Sequence, residues 1–148
     1  MKTCANHRHC IETAKQTAVD VCAKMGARFT PQRENVFDII WQSHKALTAA
    51  EIMAQMDNKK PPITYRALDF LKNAGLIHHI TSLNAYVGCM HAHAGDHIGQ
   101  MLICTNCQKV TELEPEKPIE GLLKQANQTG FKATQTHIEM LGLCADCQ

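Results

Sequence analysis

Four cysteines in the last third of the chain have the spacing of a zinc site. They form two Cys-x-x-Cys pairs, Cys104 with Cys107 and Cys144 with Cys147. A Cys-x-x-Cys turn brings two thiolates close enough to share one ion, and two such turns complete a tetrahedron. The pattern predicts a structural zinc site that joins the start of a sheet to the end of the chain. Two dithiol pairs, or thiols buried as small hydrophobic groups, are the alternatives.

A second set of possible ligands lies near the middle of the chain. It contains one thiol, four imidazoles and two carboxylates: His78, Cys89, His91, His93, His97, Glu112 and Glu114. One sulfur, two nitrogens and one carboxylate oxygen would close a tetrahedral zinc site. Such a site would draw ligands from both halves of the chain and would depend on their relative orientation. Spacing alone does not choose among these residues, because a single histidine is more often a solvated or core side chain.

The composition is that of an ordinary folded protein rich in metal-binding side chains. The 148 residues are 45% hydrophobic and 20% charged, and they include 8 Cys and 9 His. No apolar run approaches the roughly 20 residues that cross a bilayer, and the N-terminus lacks the pattern of a secretory signal. These features predict a cytoplasmic protein. In that compartment closely spaced cysteines more often bind metal or do redox work than form structural disulfides.

Charge is distributed unevenly along the chain. Residues 1–88 contain 11 Lys and Arg against 7 Asp and Glu, whereas residues 89–148 contain 4 against 7. A basic first half and an acidic second half fit a DNA-facing module joined to a module with another role. A difference of this size also arises by chance, so other features must decide.

The first half has the pattern of several short helices. Apolar residues at helical spacing predict a helix over Cys10–Met25. Thr30 and Pro31 have the types preferred at the N-cap and first position of a second helix. Thr48 with Glu51 is a capping-box pattern, which predicts the start of a third.

A fourth helix and a hairpin follow. The helix is predicted over Ile63–Asn73, after a pair of prolines. The segments Leu76–Thr81 and Ala85–Cys89 are short, β-prone and separated by a turn, which predicts a β-hairpin. Helices followed by a hairpin are typical of a winged helix-turn-helix, with Ile63–Asn73 as the recognition helix and the hairpin as the wing.

The second half is predicted to be a small α/β unit. Met101–Thr105 and Lys109–Leu113 have the pattern of paired strands, Pro118–Thr129 that of a helix, and Phe131–Leu141 that of a third strand. A unit of about 50 residues has too little core to be secure alone, so a metal, a partner subunit or both must contribute.

These motifs together resemble the ferric uptake regulator (Fur) superfamily. The resemblance rests on Thr30-Pro31-Gln32-Arg33, Thr64-Tyr65-Arg66-Ala67-Leu68, the histidine-rich hinge and the two Cys-x-x-Cys pairs, over about residues 10–148. Within the superfamily the chain looks closest to the zinc uptake regulators. The implied architecture is α+β, with a winged-helix DNA-binding domain over 1–88, a metal-binding hinge over 89–97 and a dimerisation domain with structural zinc over 98–148. Residues 1–9 are interpreted as a disordered end, and metal binding by the cluster from Cys4 to Cys10 is the alternative.

The resemblance also narrows the choice of ligands. It implies one structural zinc per subunit at Cys104, Cys107, Cys144 and Cys147. It implies one regulatory zinc at His78, Cys89, His97 and Glu112, which favours Glu112 over Glu114. A thiolate at position 89 favours zinc over iron(II) or manganese(II). His91 and His93 remain candidates for a further site.

Candidate DNA contacts lie on and near the predicted recognition helix. Tyr65 and Arg66 are the best candidates for reading bases, because arginine suits bidentate contact with guanine and tyrosine suits a thymine methyl or a phosphate. Thr64 is grouped with them. Four cations are predicted to hold phosphates: Arg28, Arg33, Lys59 and Lys60. A solvated surface charge is the alternative for each of them.

The resulting hypothesis is a zinc-responsive transcriptional repressor and not an enzyme. A homodimer would bind double-stranded operator DNA and control zinc-uptake genes once regulatory zinc fixes the orientation of its domains. No small-molecule substrate and no membrane are predicted, and no His-Glu-x-x-His pattern supplies a catalytic zinc site. The alternatives are a sensor of iron or manganese in the same family, or a thiol-based redox sensor.

Overall fold

The computed structural model describes residues 7–43, 45–57, 59–92, 98–113 and 118–148. Four helices form most of the first part: α1 (His7–Lys24), α2 (Pro31–Gln42), α3 (Ala49–Gln55) and α4 (Pro61–Asn73). Two begin at the caps predicted from the sequence. Thr30 accepts a hydrogen bond from the Arg33 N–H at the start of α2, and Thr48 forms a capping box with Glu51 at the start of α3.

The helices bury a common apolar core. Its fully buried side chains come from α2, α3, α4 and the first strand of the hairpin: Phe37, Ile40, Ile52, Leu68, Leu71 and Ile77. Cys22 on α1 is buried in the same core. Among the described helices, none has both the length and the apolar content needed to span a bilayer.

A three-stranded sheet forms the wing. Strands β2 (Ile77–Ile80) and β3 (Ala85–Gly88) form the predicted antiparallel hairpin, and the two-residue strand β1 (Leu47–Thr48) pairs with the other edge of β3. The hairpin turn is one turn of 3-10 helix, Thr81–Leu83, followed by Asn84 at φ 46°. Helices α1–α4 and this wing make up the N-terminal unit, a winged helix-turn-helix.

The C-terminal unit is the predicted small α/β unit with a three-stranded sheet. It contains β4 (Gln100–Cys104), β5 (Val110–Glu112), α5 (Pro118–Gln128) and β6 (Ile138–Gly142). The strand order is β5-β4-β6, with β4 antiparallel to β5 and parallel to β6. A parallel pair needs a crossover connection, and α5 lies within that connection. The α+β fold class is confirmed.

The two units share an apolar cluster. Ile80 at the end of β2 is fully buried together with three residues of the C-terminal sheet: Met101, Ile103 and Val110. Leu83 and Val87 from the wing pack against this cluster. The wing therefore packs directly on the C-terminal sheet, and the sheet can hold it in one orientation.

Some element boundaries differ from the predictions. Helix α1 begins at His7 rather than Cys10, so it includes three residues of the segment interpreted as a disordered end; residues 1–6 lie outside the described ranges. Apolar spacing marks only the packed face of a helix, and the polar first turn of α1 gives no such signal. Helix α4 begins at Pro61, because proline suits the first helical positions.

The third strand of the C-terminal unit is shorter than predicted. The strand was expected over Phe131–Leu141, but β6 begins at Ile138. Its five residues pair one for one with the five of β4, from Gln100 with Ile138 to Cys104 with Gly142. A strand exists only where a neighbour accepts its hydrogen bonds, and the length of β4 sets that limit.

Candidate metal centres and DNA-reading helix

Four thiols from the two ends of the C-terminal unit converge at one point. Cys104 ends β4, Cys107 lies in the following turn, and Cys144 and Cys147 bracket the short turn after β6. Their sulfur atoms all lie within 4.8 Å of one another, and Cys107 Sγ is 3.7 Å from Cys144 Sγ. Two thiolates at about 2.3 Å from a tetrahedral zinc ion stand about 3.8 Å apart. The four residues therefore fit a zinc ion.

The thiols of this cluster differ in acidity. Backbone N–H groups of Cys107 and Cys144 lower the pKa of Cys104 to about 6, whereas burial and the neighbouring thiols raise the pKa of Cys144 to about 12. Cys104 therefore ionises more readily than Cys144 and would offer a thiolate ligand to a metal cation. Binding would then displace the protons of its neighbours, as zinc does in thiolate sites.

A second cluster lies where the two units meet. His78 on β2, Cys89 directly after β3 and Glu112 at the end of β5 each place a ligand atom within 4.8 Å of the others. His78 Nε2 is 2.8 Å from Glu112 Oε1, and Cys89 Sγ is 4.0 Å from the same oxygen. Two of these side chains belong to the wing and the third to the C-terminal sheet. One ion held by all three would bridge the two units.

The carboxylate of Glu112 is the centre of this second cluster. Its side chain is 4% exposed, and its Oε2 accepts a hydrogen bond of 2.9 Å from the Met90 N–H. His91 Nδ1 lies 3.5 Å from Glu112 Oε1, so this histidine also borders the cluster. The structure brings together three of the four predicted regulatory ligands; the fourth, His97, lies outside the described residues, as do His93 and Glu114.

The electrostatics of the second cluster favour a cation. Burial and the negative charge of Glu112 raise the pKa of the Cys89 thiol to about 12. Thiol and carboxylate are thus held together in a nearly dry site, where two negative charges are costly without a compensating positive one. A divalent ion supplies that charge, and the sulfur, nitrogen and oxygen donors suit zinc.

Gly99 is a positioning residue that the sequence did not reveal. A Cβ at this position would lie 2.8 Å from His78 Cε1 and 2.9 Å from Nδ1, too close for any real contact. Gly99 therefore leaves room for the Nδ1–Cε1 edge of the imidazole, whose neighbouring Nε2 faces Glu112. A signal for this role could come only from the three-dimensional contact.

We expect the Gly99→Ala variant to bind regulatory zinc about 10- to 100-fold more weakly. The added methyl group must rotate the His78 ring away from Glu112, and overpacking of this kind costs about 1–3 kcal/mol. Competition with a zinc chelator measures the effect. Gly121→Ala is the matched control, because a Cβ there meets nothing within 4 Å. Equal zinc affinities for the two variants would contradict the role of Gly99.

The predicted base-reading residues are exposed on α4. Tyr65 is 49% exposed although it is a large aromatic residue, and Arg66 beside it is exposed as well. The predicted phosphate contacts Arg28, Lys59 and Lys60 are also exposed. This placement leaves all five side chains accessible to a DNA backbone or groove.

Two other candidates have structural roles. Thr64 is fully buried and its hydroxyl donates to Met56 Sδ at 3.3 Å, so its prediction as a DNA contact is wrong. It occupies the inward face of α4, while Tyr65 and Arg66 occupy the outward face. The Arg33 guanidinium lies 3.3 Å above the centre of the Phe70 ring and donates to the Arg28 carbonyl. These contacts fix the orientation of Arg33 against α4.

Comparison with known proteins agrees with this arrangement. The model of the ferric uptake regulator family matches residues 24–141. The chain belongs to the ferric uptake regulator family. Among members of this family, the chain is 35% identical over 135 residues to the zinc uptake regulation protein of Escherichia coli K12, an alignment covering 88% of this chain and 78% of that protein. The predicted resemblance to this family and to its zinc uptake regulators is confirmed.

Solved structures of zinc uptake regulators have the same architecture. Holo XcZur superposes with a TM-score of 0.85 at 34% identity, covering 92% of this chain and 96% of that one. A zinc uptake regulator complexed with zinc and DNA superposes with a TM-score of 0.83 at 34% identity, covering 93% of each chain. Apo XcZur, also 34% identical, reaches only 0.52. This family member therefore has the arrangement of units seen in the holo and DNA-bound relatives.

Proposed function

We propose that this chain is a zinc-responsive transcriptional repressor that binds operator DNA as a homodimer and controls zinc-uptake genes. The observation that carries the proposal is the convergence of His78 and Cys89 from the wing with Glu112 from the C-terminal sheet. A metal site built from both units depends on their relative orientation. The relative that binds zinc and DNA, and superposes closely, supports zinc as the ion and DNA as the partner.

Two zinc ions per subunit have separate roles in this proposal. The ion at Cys104, Cys107, Cys144 and Cys147 holds the end of the chain against β4 and is structural. The ion at His78, Cys89 and Glu112, with His97 as the expected fourth ligand, is regulatory. Four protein ligands leave no open position for a substrate or an activated water, so the proposal includes no catalytic step.

The regulatory ion acts by selecting one orientation of the N-terminal unit. Without zinc the winged helices of a dimer adopt several orientations, of which few fit DNA. Zinc bridging the wing to the C-terminal sheet favours the arrangement in which the two recognition helices reach major grooves about 34–36 Å apart, or a multiple of that spacing. By thermodynamic linkage, zinc and DNA then raise each other's affinity by the same factor.

The C-terminal sheet offers a surface for the second subunit. Leu102 and Met140 are paired across β4 and β6, project from the same face of this sheet and are exposed in the single chain. Exposed apolar groups clustered on one face are typical of a surface that is covered in the assembled protein. We infer that this face pairs two copies, which leaves both wings and both α4 helices free to contact DNA.

We expect Arg66→Ala to weaken operator binding by about 1–3 kcal/mol and to relax sequence preference at one base pair, because a bidentate arginine discriminates guanine from other bases. Fluorescence anisotropy with a panel of single-base operator variants measures both effects. Lys132→Ala, an exposed cation of the C-terminal unit, is the control. A loss that is uniform over all operator variants would instead assign Arg66 to the phosphate backbone.

The function is tested by operator gel shifts at buffered free zinc, iron(II) and manganese(II). We expect tight, sequence-selective binding with zinc at the lowest free concentration, because the Cys89 thiolate favours zinc. Tight binding by fully chelated protein would overturn the proposal. Binding supported only by iron(II) or manganese(II) would make the chain a sensor of that metal. Loss of binding after mild peroxide, at constant zinc, would make it a redox sensor.

A further inference from the structure

A second carboxylate, which is not part of the metal cluster, also joins the two units. Glu139 on β6 accepts hydrogen bonds from two successive backbone N–H groups of the wing: Oε1 from Thr81 at 2.6 Å and Oε2 from Ser82 at 3.0 Å. The donors and the acceptor are 57 and 58 residues apart in sequence. These contacts involve none of the proposed metal ligands.

The wing turn has donors that need such a partner. Thr81 and Ser82 begin the 3-10 turn Thr81–Leu83, and the first N–H groups of a helical turn have no acceptor within it. Ile80, which precedes the turn, makes no side-chain cap. Glu139 therefore caps the turn from the other unit. Burial opposes ionisation of this carboxyl, but hydrogen bonds from Ser82 and Thr81 outweigh it and lower the pKa of Glu139.

Sheet register places the two inter-unit carboxylates on either side of one residue. Met101 on β4 pairs with Glu112 on β5 and with Glu139 on β6. Residues paired across adjacent strands project from the same face of a sheet. Glu112, Met101 and Glu139 thus form a row across the C-terminal sheet.

The three residues of this row contact the wing at successive positions along it. Glu112 meets His78 near the start of β2, Met101 shares the apolar cluster with Ile80 at its end, and Glu139 caps the turn that follows. The wing is therefore docked at three points in succession. Only the first of these points contains metal ligands.

We propose that Glu139 is a metal-independent latch that positions the wing on the C-terminal sheet and thereby sets how much zinc is needed for DNA binding. The proposal rests on the proposed function, in which one orientation of the units binds DNA. The latch favours that orientation before zinc binds. Zinc then needs to supply only the rest of the free energy that makes the DNA-competent orientation dominant.

A latch of this kind has a distinctive thermodynamic signature. When the zinc-free protein is mostly in other orientations, weakening the latch lowers the DNA-competent fraction and lowers the apparent affinities for DNA and zinc by the same factor. When zinc is saturating, the competent orientation is already dominant and the loss is small. A residue that merely helped the wing touch DNA would lower operator affinity equally at every zinc concentration.

The test uses full-length protein with Glu139→Gln, which keeps the size of the side chain and replaces one acceptor oxygen by an N–H donor. Glu120→Gln on α5 is the control, because Glu120 is exposed. We expect the Glu139 variant to bind operator about tenfold more weakly at low buffered zinc and less than about twofold more weakly at saturating zinc. Its regulatory zinc affinity without DNA should fall by about the same tenfold.

Small-angle X-ray scattering of the zinc-free proteins provides a readout independent of DNA. We expect the Glu139 variant to be more expanded than the wild type and the Glu120 control. An unchanged zinc affinity and scattering profile, or an equal loss of operator affinity at all zinc concentrations, would overturn the latch. Failure of wild-type protein to bind operator with zinc would overturn the proposed function, while the scattering comparison would still decide whether the latch exists.

Discussion

We expect the Cys104→Ser variant to lose its structural zinc and, with it, the folded C-terminal unit, the dimer and DNA binding. Backbone N–H groups hold the pKa of the Cys104 thiol at about 6, well below its usual range, which favours the thiolate that a metal cation binds. A serine hydroxyl does not replace it, because zinc binds the deprotonated form of its ligands. This is the largest effect that a single substitution should have.

The energies involved support a complete loss of the folded C-terminal unit. A structural zinc contributes about 10–16 kcal/mol of apparent binding energy at neutral pH, whereas the whole stability of a typical domain is about 5–15 kcal/mol. The C-terminal unit buries few large apolar side chains among its described residues: Met101, Ile103, Val110 and Ile119. A core of this size cannot offset the loss of the ion.

Three measurements check this expectation. Metal analysis should find both zinc ions lost, because the regulatory ligand Glu112 lies in the unfolded unit. Sedimentation velocity should find monomers, and limited proteolysis should cut residues 98–148 first. Cys22→Ala is the control, because Cys22 is a free buried thiol in the core of the N-terminal unit. That variant should keep its zinc and its dimer and lose only some thermal stability. A dimeric Cys104→Ser protein with a full complement of zinc would refute the structural role.

The sequence predicts those parts of the fold that depend on neighbours along the chain. The caps at Thr30 and Thr48 act within one helical turn, and both are present. The spacing of a Cys-x-x-Cys pair places its two thiols close together, because the pair occupies a single turn. The four thiols of the two pairs converge as expected. Local physical chemistry decides these features, and a local pattern is enough to find them.

Features decided by distant neighbours were missed. Strand β1 has two residues and exists only because β3 offers it an edge. Glu139 has no pattern of its own, since its partners lie more than fifty residues away in another unit. Gly99 resembles any loop glycine until the His78 ring is placed against it. Thr64 is an error of the opposite kind, because the sequence motif suggested a DNA contact that the structure does not allow. Its side chain lies on the inward face of α4 and is buried.

The hinge ligands are an intermediate case. Seven candidates could be named from residue types, and the family resemblance reduced them to four. The structure brings His78, Cys89 and Glu112 together through three separate strands or strand ends, which no spacing rule could establish. It also places His91 beside Glu112, within reach of the same carboxylate. Residue chemistry therefore identified the donors, and the topology of the strands brings together those that the structure describes.

We expect Cys89→Ser to raise the free zinc required for operator binding at least 100-fold while leaving the structural zinc and the dimer intact. Cys89 is buried beside Glu112, where serine would keep the volume nearly unchanged but would offer zinc a much poorer ligand. Loss of one of four ligands removes much of the energy that selects the DNA-competent orientation. The N-terminal unit should remain folded, because its core is formed by α1–α4 and β2.

Operator binding across a series of buffered zinc concentrations measures this effect, with metal analysis and sedimentation as checks on the rest of the molecule. Met90→Ala is the matched control, because the Met90 side chain is exposed and only its backbone N–H contacts Glu112. The Cys104→Ser variant should behave differently. Both variants lose one thiol of a zinc site, but only the hinge variant should remain a folded dimer that binds DNA again at high zinc. If Cys89→Ser kept the wild-type zinc threshold, the bridge between wing and sheet could not be the sensor.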